Sequence, residues 1–520
     1  MSELPRLVQA LLRPEAYPHR PQQIELVQTQ ISLVFIAGDF VYKIKKPVDF
    51  GFLDYTSLEK RRFFCQQEVL LNRRLCPDVY LDVVKVLEQN GTILVEGEGE
   101  AIEYAVKMLR LPPDRTMDRL LEAGQVSQEM VRRVAERLAQ FHARAETNDK
   151  ISSYGDLEMI RGNCQENFVQ TEGYIDLCLS RKTYESLKYY SYLFLELNRP
   201  LLQKRMDEGR IRDCHGDVHS AHVCFTNGIC IFDCIEFNER FRYADVASEV
   251  AFLAMDIDFH GHPELSQHLV DTYVASSGDR DLLLLLNFYK GYRAYVRGKV
   301  QSFKLDDPMI SETEKKRALE TAQKYFDLAY SYIDIQRPAL FITTGLIGTG
   351  KSTLAQALAE RLDIPAISSD IVRKSLAGIP ITEHRFEEVR RGIYSGDFSK
   401  RTYDELFKQA GERLSEGRSV IIDAAFGRAE DRLKAMGLAK EKEADFWALE
   451  CVCADETIKE RLDRRMREES ASDGRLEIFD DLKREYEKVT EVPDSKHIII
   501  YTSVSREEMI KQVFAKMKKE

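Results

Sequence analysis

The sequence predicts two domains in series: an α+β domain of two lobes, then an α/β domain of three layers around a mainly parallel sheet. Three observations carry this. The 520 residues exceed the roughly 250–300 that one hydrophobic core organises. The stretch Ile335-Gln336-Arg337-Pro338 leads into an abrupt apolar run, Ala339-Leu-Phe-Ile-Thr-Thr344, as expected where a chain enters a buried strand. From there strand and helix patterns alternate to the C-terminus, which implies parallel strands covered on both faces. The domains are therefore read as residues 1–336 and 337–520.

Within the first domain, a small lobe spans about residues 25–110 and a helical lobe about 111–336. Strand patterns fall at 31–36, 40–45, 83–87, 92–95 and 101–108, with a helix over 58–75. Helical spacing dominates from Met117 onward, broken by a β-rich segment at 214–237. In the second domain the order is strand 339–344, helix 351–362, strand 365–368, helices 370–377 and 400–416, strand 419–423 and helix 428–440. Strand 444–453, helices 455–467 and 476–488, strand 497–501 and helix 504–518 complete it.

Composition narrows the class. With 44% hydrophobic and 31% charged residues, the chain is neither disordered nor fibrous. Its net charge is −11, and the second domain, with 33 Lys+Arg against 35 Asp+Glu, carries only −2 of it. An acidic first domain argues against nucleic acid as a partner. Apolar runs such as 282–286 and 498–500 fall far short of the roughly 18–20 residues of a membrane span. The N-terminus lacks the basic start and apolar stretch of a signal peptide. A cytoplasmic location is expected, with the ten cysteines as reduced core residues.

The most specific motif is Gly345-Leu-Ile-Gly348-Thr349-Gly350-Lys351-Ser352. It satisfies GxxxxGK[ST] between a strand and a helix. Glycines let backbone N–H groups turn inward around phosphates, Lys351 places a charge on the outer phosphates, and the Ser352 hydroxyl suits Mg²⁺. Thr353 belongs to the same helix start, whose positive end favours the anion. Asp370 and Arg373 follow a short strand, where open α/β sheets bind ligands. Asp370 is eligible as the base toward an attacking hydroxyl and Arg373 as a clamp on an anion; a helix cap with a solvated arginine is the structural alternative. Asp423 ends a strand, a common place for a metal-holding acid. Arg461 and Arg465, with Arg464 and Arg467, crowd a helix before a polar stretch, which suits a lid over phosphates.

The second motif is Cys214-His215-Gly216-Asp217-Val218-His219-Ser220-Ala221-His222, followed by Ile231-Phe232-Asp233. Phosphoryl transfer needs one carboxylate to orient a hydroxyl and take its proton, and a second to hold Mg²⁺. In the small lobe, Lys43 and Lys45 share a strand face. Either could reach phosphates and pair with Glu68; Lys43, at the end of the apolar run, is preferred. His142 reads as packing and Trp447 as core. Asp256, Asp258, His260 and His262, and Arg293 with Arg297, are further candidates for holding an acceptor.

Residues 338–520 resemble the P-loop kinases related to 5′-hydroxyl polynucleotide kinases, zeta toxins and gluconate kinases. The Asp217 and Asp233 motifs resemble those of the aminoglycoside phosphotransferase and choline kinase families. By this resemblance Asp217 is the base, Asp233 the metal ligand, and His222 stands where those families carry a metal-binding asparagine. The whole is then an α+β kinase-like two-lobed domain followed by an α/β three-layer P-loop domain with a mainly parallel sheet. The implied activity is a bifunctional ATP- and Mg²⁺-dependent phosphotransferase acting on small-molecule hydroxyl acceptors. A regulatory nucleotide-binding protein and a nucleic-acid 5′-hydroxyl kinase are the alternatives.

Overall fold

The computed structural model describes residues 4–518 except 309, 381–382, 384–390 and 466–475. It forms two compact units. Unit 1 comprises Met1–Ile160 and Pro200–Val296; unit 2 comprises Arg161–Arg199 and Arg297–Glu520. This differs from a single cut near residue 336. The reason is the helix Arg181–Leu197. Its Tyr189 and Leu193 are buried in one cluster with Phe341, Leu358, Trp447 and Phe514. Ion pairs to the same body line its length: Glu185 with Arg418 at 2.9 Å, Lys188 with Asp363 at 2.8 Å, and Glu196 with Arg361 at 3.4 Å. An apolar stripe in a sequence does not say which core it covers.

Unit 1 contains an antiparallel sheet of β1 (Ile24–Gln28), β2 (Ser32–Ala37), β3 (Phe40–Lys45), β4 (Tyr80–Gln89), β5 (Thr92–Val95) and β6 (Ala101–Leu109), in the order β1-β2-β3-β6-β4-β5. β1 has no counterpart among the sequence-read strands; its residues are half-buried or exposed, so the apolar signal is weak. One face of the sheet packs Phe35, Tyr42 and Ile44 against Leu7, Leu11 and Tyr17. The other packs Val106 and Met108 against Cys65 and Val69 of the helix Leu58–Asn72, whose N-cap is Ser57. Alternation along β3 therefore sends Tyr42 and Ile44 to one face and Lys43 and Lys45 to the other.

The rest of unit 1 is mainly helical. Two small two-stranded sheets interrupt it: β7 (Ile211–Asp213) with β10 (Tyr243–Asp245), and β8 (Val223–Phe225) with β9 (Ile229–Ile231). Cys76 and Cys230 form a disulfide, which corrects the expectation that all cysteines are reduced. They lie 154 residues apart, so only the fold brings them together. Arg205 is fully buried and forks onto Asp245 at 2.6 and 2.9 Å, and onto Asp279. Arg205→Ala would strand two buried carboxylates. It is expected to destabilise unit 1 by about 3–5 kcal/mol in chemical denaturation; a loss below about 1 kcal/mol would count against this account.

Unit 2 holds a five-stranded parallel sheet of β11 (Ala339–Thr344), β12 (Ala366–Ser368), β13 (Val420–Asp423), β14 (Asp445–Val452) and β15 (His497–Tyr501). The order is β12-β13-β11-β14-β15. Every residue of β11 is buried, as a central parallel strand requires. One face packs on the helices Lys351–Leu362 and Arg506–Met517; the other packs on Ser369–Ala377, Gly396–Ser415 and Ala429–Glu441. The three layers and parallel sheet match the sequence-based expectation. The helix expected over 476–488 is shorter, Phe479–Glu485 after one 3₁₀ turn. Among the described residues no helix is long and apolar enough to cross a membrane.

Candidate functional site

In unit 1, the structure brings Lys43, Glu68 and Asp233 together. Lys43 Nζ lies 2.8 Å from Glu68 Oε1 and 2.6 Å from Asp233 Oδ1. Lys45 does not compete for Asp233. It is fully buried, paired with Glu68 Oε2 at 2.8 Å and with Glu236. Tyr55 donates to the same Glu236 carboxylate at 2.7 Å. Glu68 thus divides its two oxygens between two lysines. Burial would depress both ammonium groups, but the surrounding carboxylates outweigh it and raise both well above the usual lysine value. Both lysines are therefore charged at neutral pH. Lys43 is the one that reaches the accessible carboxylate, since the Asp233 side chain is 42% exposed.

Asp217 follows Gly216, whose φ is +89° and where a Cβ would lie 2.8 Å from the Phe241 carbonyl oxygen. Only glycine fits that turn. Behind it, Glu249 Oε1 accepts the backbone N–H groups of His215 (2.9 Å) and Gly216 (2.6 Å). Glu249 Oε2 accepts from His142 Nε2 at 2.8 Å, and Tyr273 donates to His142 Nδ1 at 2.8 Å. Asp256 accepts the Ser220 N–H at 2.8 Å and its hydroxyl. The loop is thus held from below by buried carboxylates. Sequence reasoning misses Glu249 and reads Asp256 as an acceptor candidate. The available signal was three acids in the otherwise apolar helix Val246–Phe259.

This changes several expectations. Asp256 is committed to the loop, and Asp258 pairs with Lys290 at 2.8 Å. Arg293 donates to Ser248 at 3.1 Å and to the Gly216 carbonyl at 3.4 Å. Asp256 and Arg293 brace the loop, and Asp258 is neutralised by Lys290, instead of presenting charge to an acceptor. His142 is a buried hydrogen-bonded residue, in keeping with a packing role.

His222 sits between the two aspartates. Its Nδ1 donates to the Asp217 carbonyl at 2.9 Å, and its Nε2 faces Asp233 Oδ2 at 3.7 Å. Burial lowers its affinity for a proton, as it does that of His215, which falls to about 4. Burial pushes the Asp233 carboxyl up, but the Lys43 ammonium outweighs it and holds it well below the usual range. A divalent cation fits such a place: an ionised, accessible carboxylate opposite a nitrogen donor.

In unit 2, the loop after β11 has its three glycines at positive φ: Gly345 (+132°), Gly348 (+74°) and Gly350 (+90°). Lys351 Nζ lies 2.7 Å from the Leu346 carbonyl and Thr349 Oγ1 2.7 Å from the same oxygen. Ser352 and Thr353 are exposed at the helix start. Asp423 is buried at the end of β13, where Thr343 Oγ1 lies 3.3 Å from its Oδ1. Asp423 and Ser352 could hold a divalent cation beside the phosphate loop. Asp370 is half-buried in the first turn of its helix.

Arg373 is buried. It donates to the Ile393 carbonyl at 2.7 Å and to Ser399, with its guanidinium over the Tyr394 ring. Arg461 is likewise engaged, bonding the Thr502 carbonyl at 2.6 Å and the Gly348 carbonyl at 3.4 Å. Thr502 in turn donates to the Thr349 carbonyl at 2.6 Å. Arg461 therefore braces the phosphate loop from outside; it is not a free lid residue. The side chain of Arg465, and Arg467 with the polar stretch after it, lie outside the described residues.

Residues 340–489 match the family model described as an AAA domain. That match covers the phosphate loop, Asp370, Asp423 and Arg461, and none of unit 1's site. An uncharacterized protein of Mycobacterium tuberculosis is 29% identical over 440 residues, covering 84% of this chain and 86% of that one. A gluconokinase from Sinorhizobium meliloti is similar at 17% identity, covering 35% of this chain and 93% of that one, with a TM-score of 0.26. An APS kinase of Mycobacterium tuberculosis, solved with AMPPNP and APS, is similar at 17% identity, covering 35% and 98%, with a TM-score of 0.27.

Proposed function

We propose that this chain is a bifunctional phosphotransferase, each unit moving the γ-phosphate of ATP to a hydroxyl of a small-molecule acceptor. The observation that carries the reading is a lysine and a carboxylate set at one accessible place, Lys43 with Asp233, in a chain that also holds a complete phosphate loop at Gly345–Ser352. In unit 1, Lys43 would neutralise phosphate charge while Glu68 keeps it oriented. Asp217 would accept the proton of the acceptor hydroxyl. In unit 2, the inward backbone N–H groups and Lys351 would cradle the phosphates, and Asp370 would take the acceptor proton. A bound Mg²⁺ or similar ion would supply charge neutralisation between the phosphates at each site.

A regulatory role for unit 1, binding nucleotide without turnover, is favoured by one observation: His222 offers nitrogen where an oxygen ligand would suit Mg²⁺. Transfer from labelled ATP to a panel of sugars, amino sugars, nucleosides and 5′-hydroxyl oligonucleotides separates the readings. Asp217→Ala is expected to lower one set of transfers by roughly 10²–10⁴-fold, and Lys351→Ala to abolish a different set. If Asp217→Ala leaves every transfer intact, unit 1 is not a kinase. If neither substitution changes any turnover, the proposal fails as a whole.

A further inference from the structure

We propose that His222 and Asp233 of unit 1, with His219 beside them, form a binding site for a divalent transition cation of the Mn²⁺ and Zn²⁺ class, preferred over Mg²⁺. This rests on the phosphotransfer reading only in placing the metal at Asp233. His219 and His222 each present a donor atom within 4.8 Å of the other and of Asp217, the proposed base. Asp217 Oδ2 is 3.5 Å from His222 Nδ1 and 3.7 Å from His219 Nε2, and Asp233 Oδ2 is 3.7 Å from His222 Nε2.

The last separation is the informative one. A carbonyl oxygen can only accept, so the 2.9 Å contact to the Asp217 carbonyl assigns the proton to His222 Nδ1. In the neutral ring, Nε2 then turns its lone pair toward a carboxylate oxygen. Two acceptors facing each other repel unless a cation sits between them. A proton on Nε2 would leave the contact too long for a hydrogen bond at 3.7 Å. An ion about 2.1 Å from each of two ligands at a tetrahedral angle holds them about 3.4 Å apart. The gap needs to close by only a few tenths of an ångström. The Nδ1 bond also fixes the ring, as an outer hydrogen bond does for metal-ligating histidines.

The donor types choose the ion. Mg²⁺ takes oxygen ligands and gains little from imidazole, whereas Mn²⁺ and Zn²⁺ accept mixed nitrogen and carboxylate sets. The His222 and His219 rings lie at a centroid distance of 3.9 Å with their planes tilted by 33°, so both imidazoles are presented at the same corner. The side chain of His222 is 16% and that of Asp233 42% exposed, which leaves an approach for an ion from solvent.

The test uses the full chain, stripped of metal with a chelator and free of nucleotide. Equilibrium dialysis against Mn²⁺, Zn²⁺ and Mg²⁺, with metal analysis, gives stoichiometry and preference; the Mn²⁺ spin-resonance signal reports nitrogen ligation. One Mn²⁺ or Zn²⁺ per chain is expected, and His222→Asn should cut the Mn²⁺:Mg²⁺ preference by at least about tenfold. His219→Ala should weaken Mn²⁺ binding in the same direction. Circular dichroism and an unchanged thermal unfolding transition check that each variant is folded. The proposal is overturned if His222→Asn keeps the wild-type preference, or if the wild type holds no transition ion at micromolar concentration. A chain that binds Mn²⁺ through His222 yet transfers no phosphate keeps this site and loses the kinase reading. Mg²⁺-driven transfer with no His222-dependent preference does the reverse.

Discussion

Gly345→Ala is expected to remove nucleotide binding from unit 2 while leaving unit 1 untouched. Two costs add. The φ of +132° at Gly345 is strained for any L side chain, by about 1–3 kcal/mol. The new methyl would also sit 2.6 Å from the Cys451 carbonyl oxygen. That oxygen cannot step aside, because Cys451 belongs to β14 and pairs with Ile500 of β15. The alanine must move instead, and it begins the loop that aims the phosphate-binding N–H groups. At Gly348 the nearest atom is the Ile458 Cγ2 methyl at 2.9 Å, the end of a side chain that can turn. Gly348→Ala should therefore be the milder change. Binding of a fluorescent ATP analogue orders the two: at least about a hundredfold loss for Gly345→Ala, and a smaller one for Gly348→Ala. Equal affinities in wild type and Gly345→Ala would show that the loop tolerates the clash.

What was legible in the sequence follows from the range of the interactions involved. The phosphate loop is local: eight consecutive residues between a strand and a helix, so its spacing alone carried it. The strand–helix alternation of unit 2 is also local, and all five strands lie within a residue or so of where the pattern put them. The convergence of Lys43, Glu68 and Asp233 spans 190 residues. It could be proposed only because each residue sits in a recognisable local motif. Lys45, two positions from Lys43, shows the limit. Period-two spacing put both on one face, and only packing decided that Lys45 is sealed against Glu236 while Lys43 meets the accessible Asp233. The roles of the site's supports were invisible for the same reason, although Asp256 and Arg293 stand among the acceptor candidates. Glu249, Asp256, Arg293 and Thr502 act through backbone groups of distant loops, and no spacing rule links them to what they hold. The arginines show another limit. Arg373, read as a clamp on an anion, and Arg461, read as part of a basic lid, both donate to carbonyl groups of their own fold.

Glu249 offers the sharpest way to separate a support from a catalytic group. Glu249→Ala would leave the His215 and Gly216 N–H groups and the His142 ring without their acceptor, all of them buried. A destabilisation of about 3–5 kcal/mol is expected, with loss of any activity that needs Asp217. Glu249→Gln keeps the shape. One amide oxygen can still accept both backbone donors, and a tautomer change lets His142 accept from the amide nitrogen, so the cost should be only about 1–3 kcal/mol. The two variants differ more clearly in pH dependence. Burial pushes the Glu249 carboxyl up, but its bonds from His142 and the Gly216 amide, with the nearby His215, outweigh it and bring it to about 2 from an ordinary 4.5. The folded state thus holds this proton less tightly than the unfolded chain. Its contribution is complete above about pH 4.5 and is lost as the pH falls toward 2, amounting to roughly 3 kcal/mol. Acid unfolding of the wild type should steepen through that window, and the Gln variant should lack the added slope. If both unfold along the same curve, Glu249 is not the ionised anchor of the Asp217 loop. If the slope vanishes but transfer persists at neutral pH, Glu249 positions the loop for stability alone and the orientation of Asp217 must come from Arg293 and Asp256.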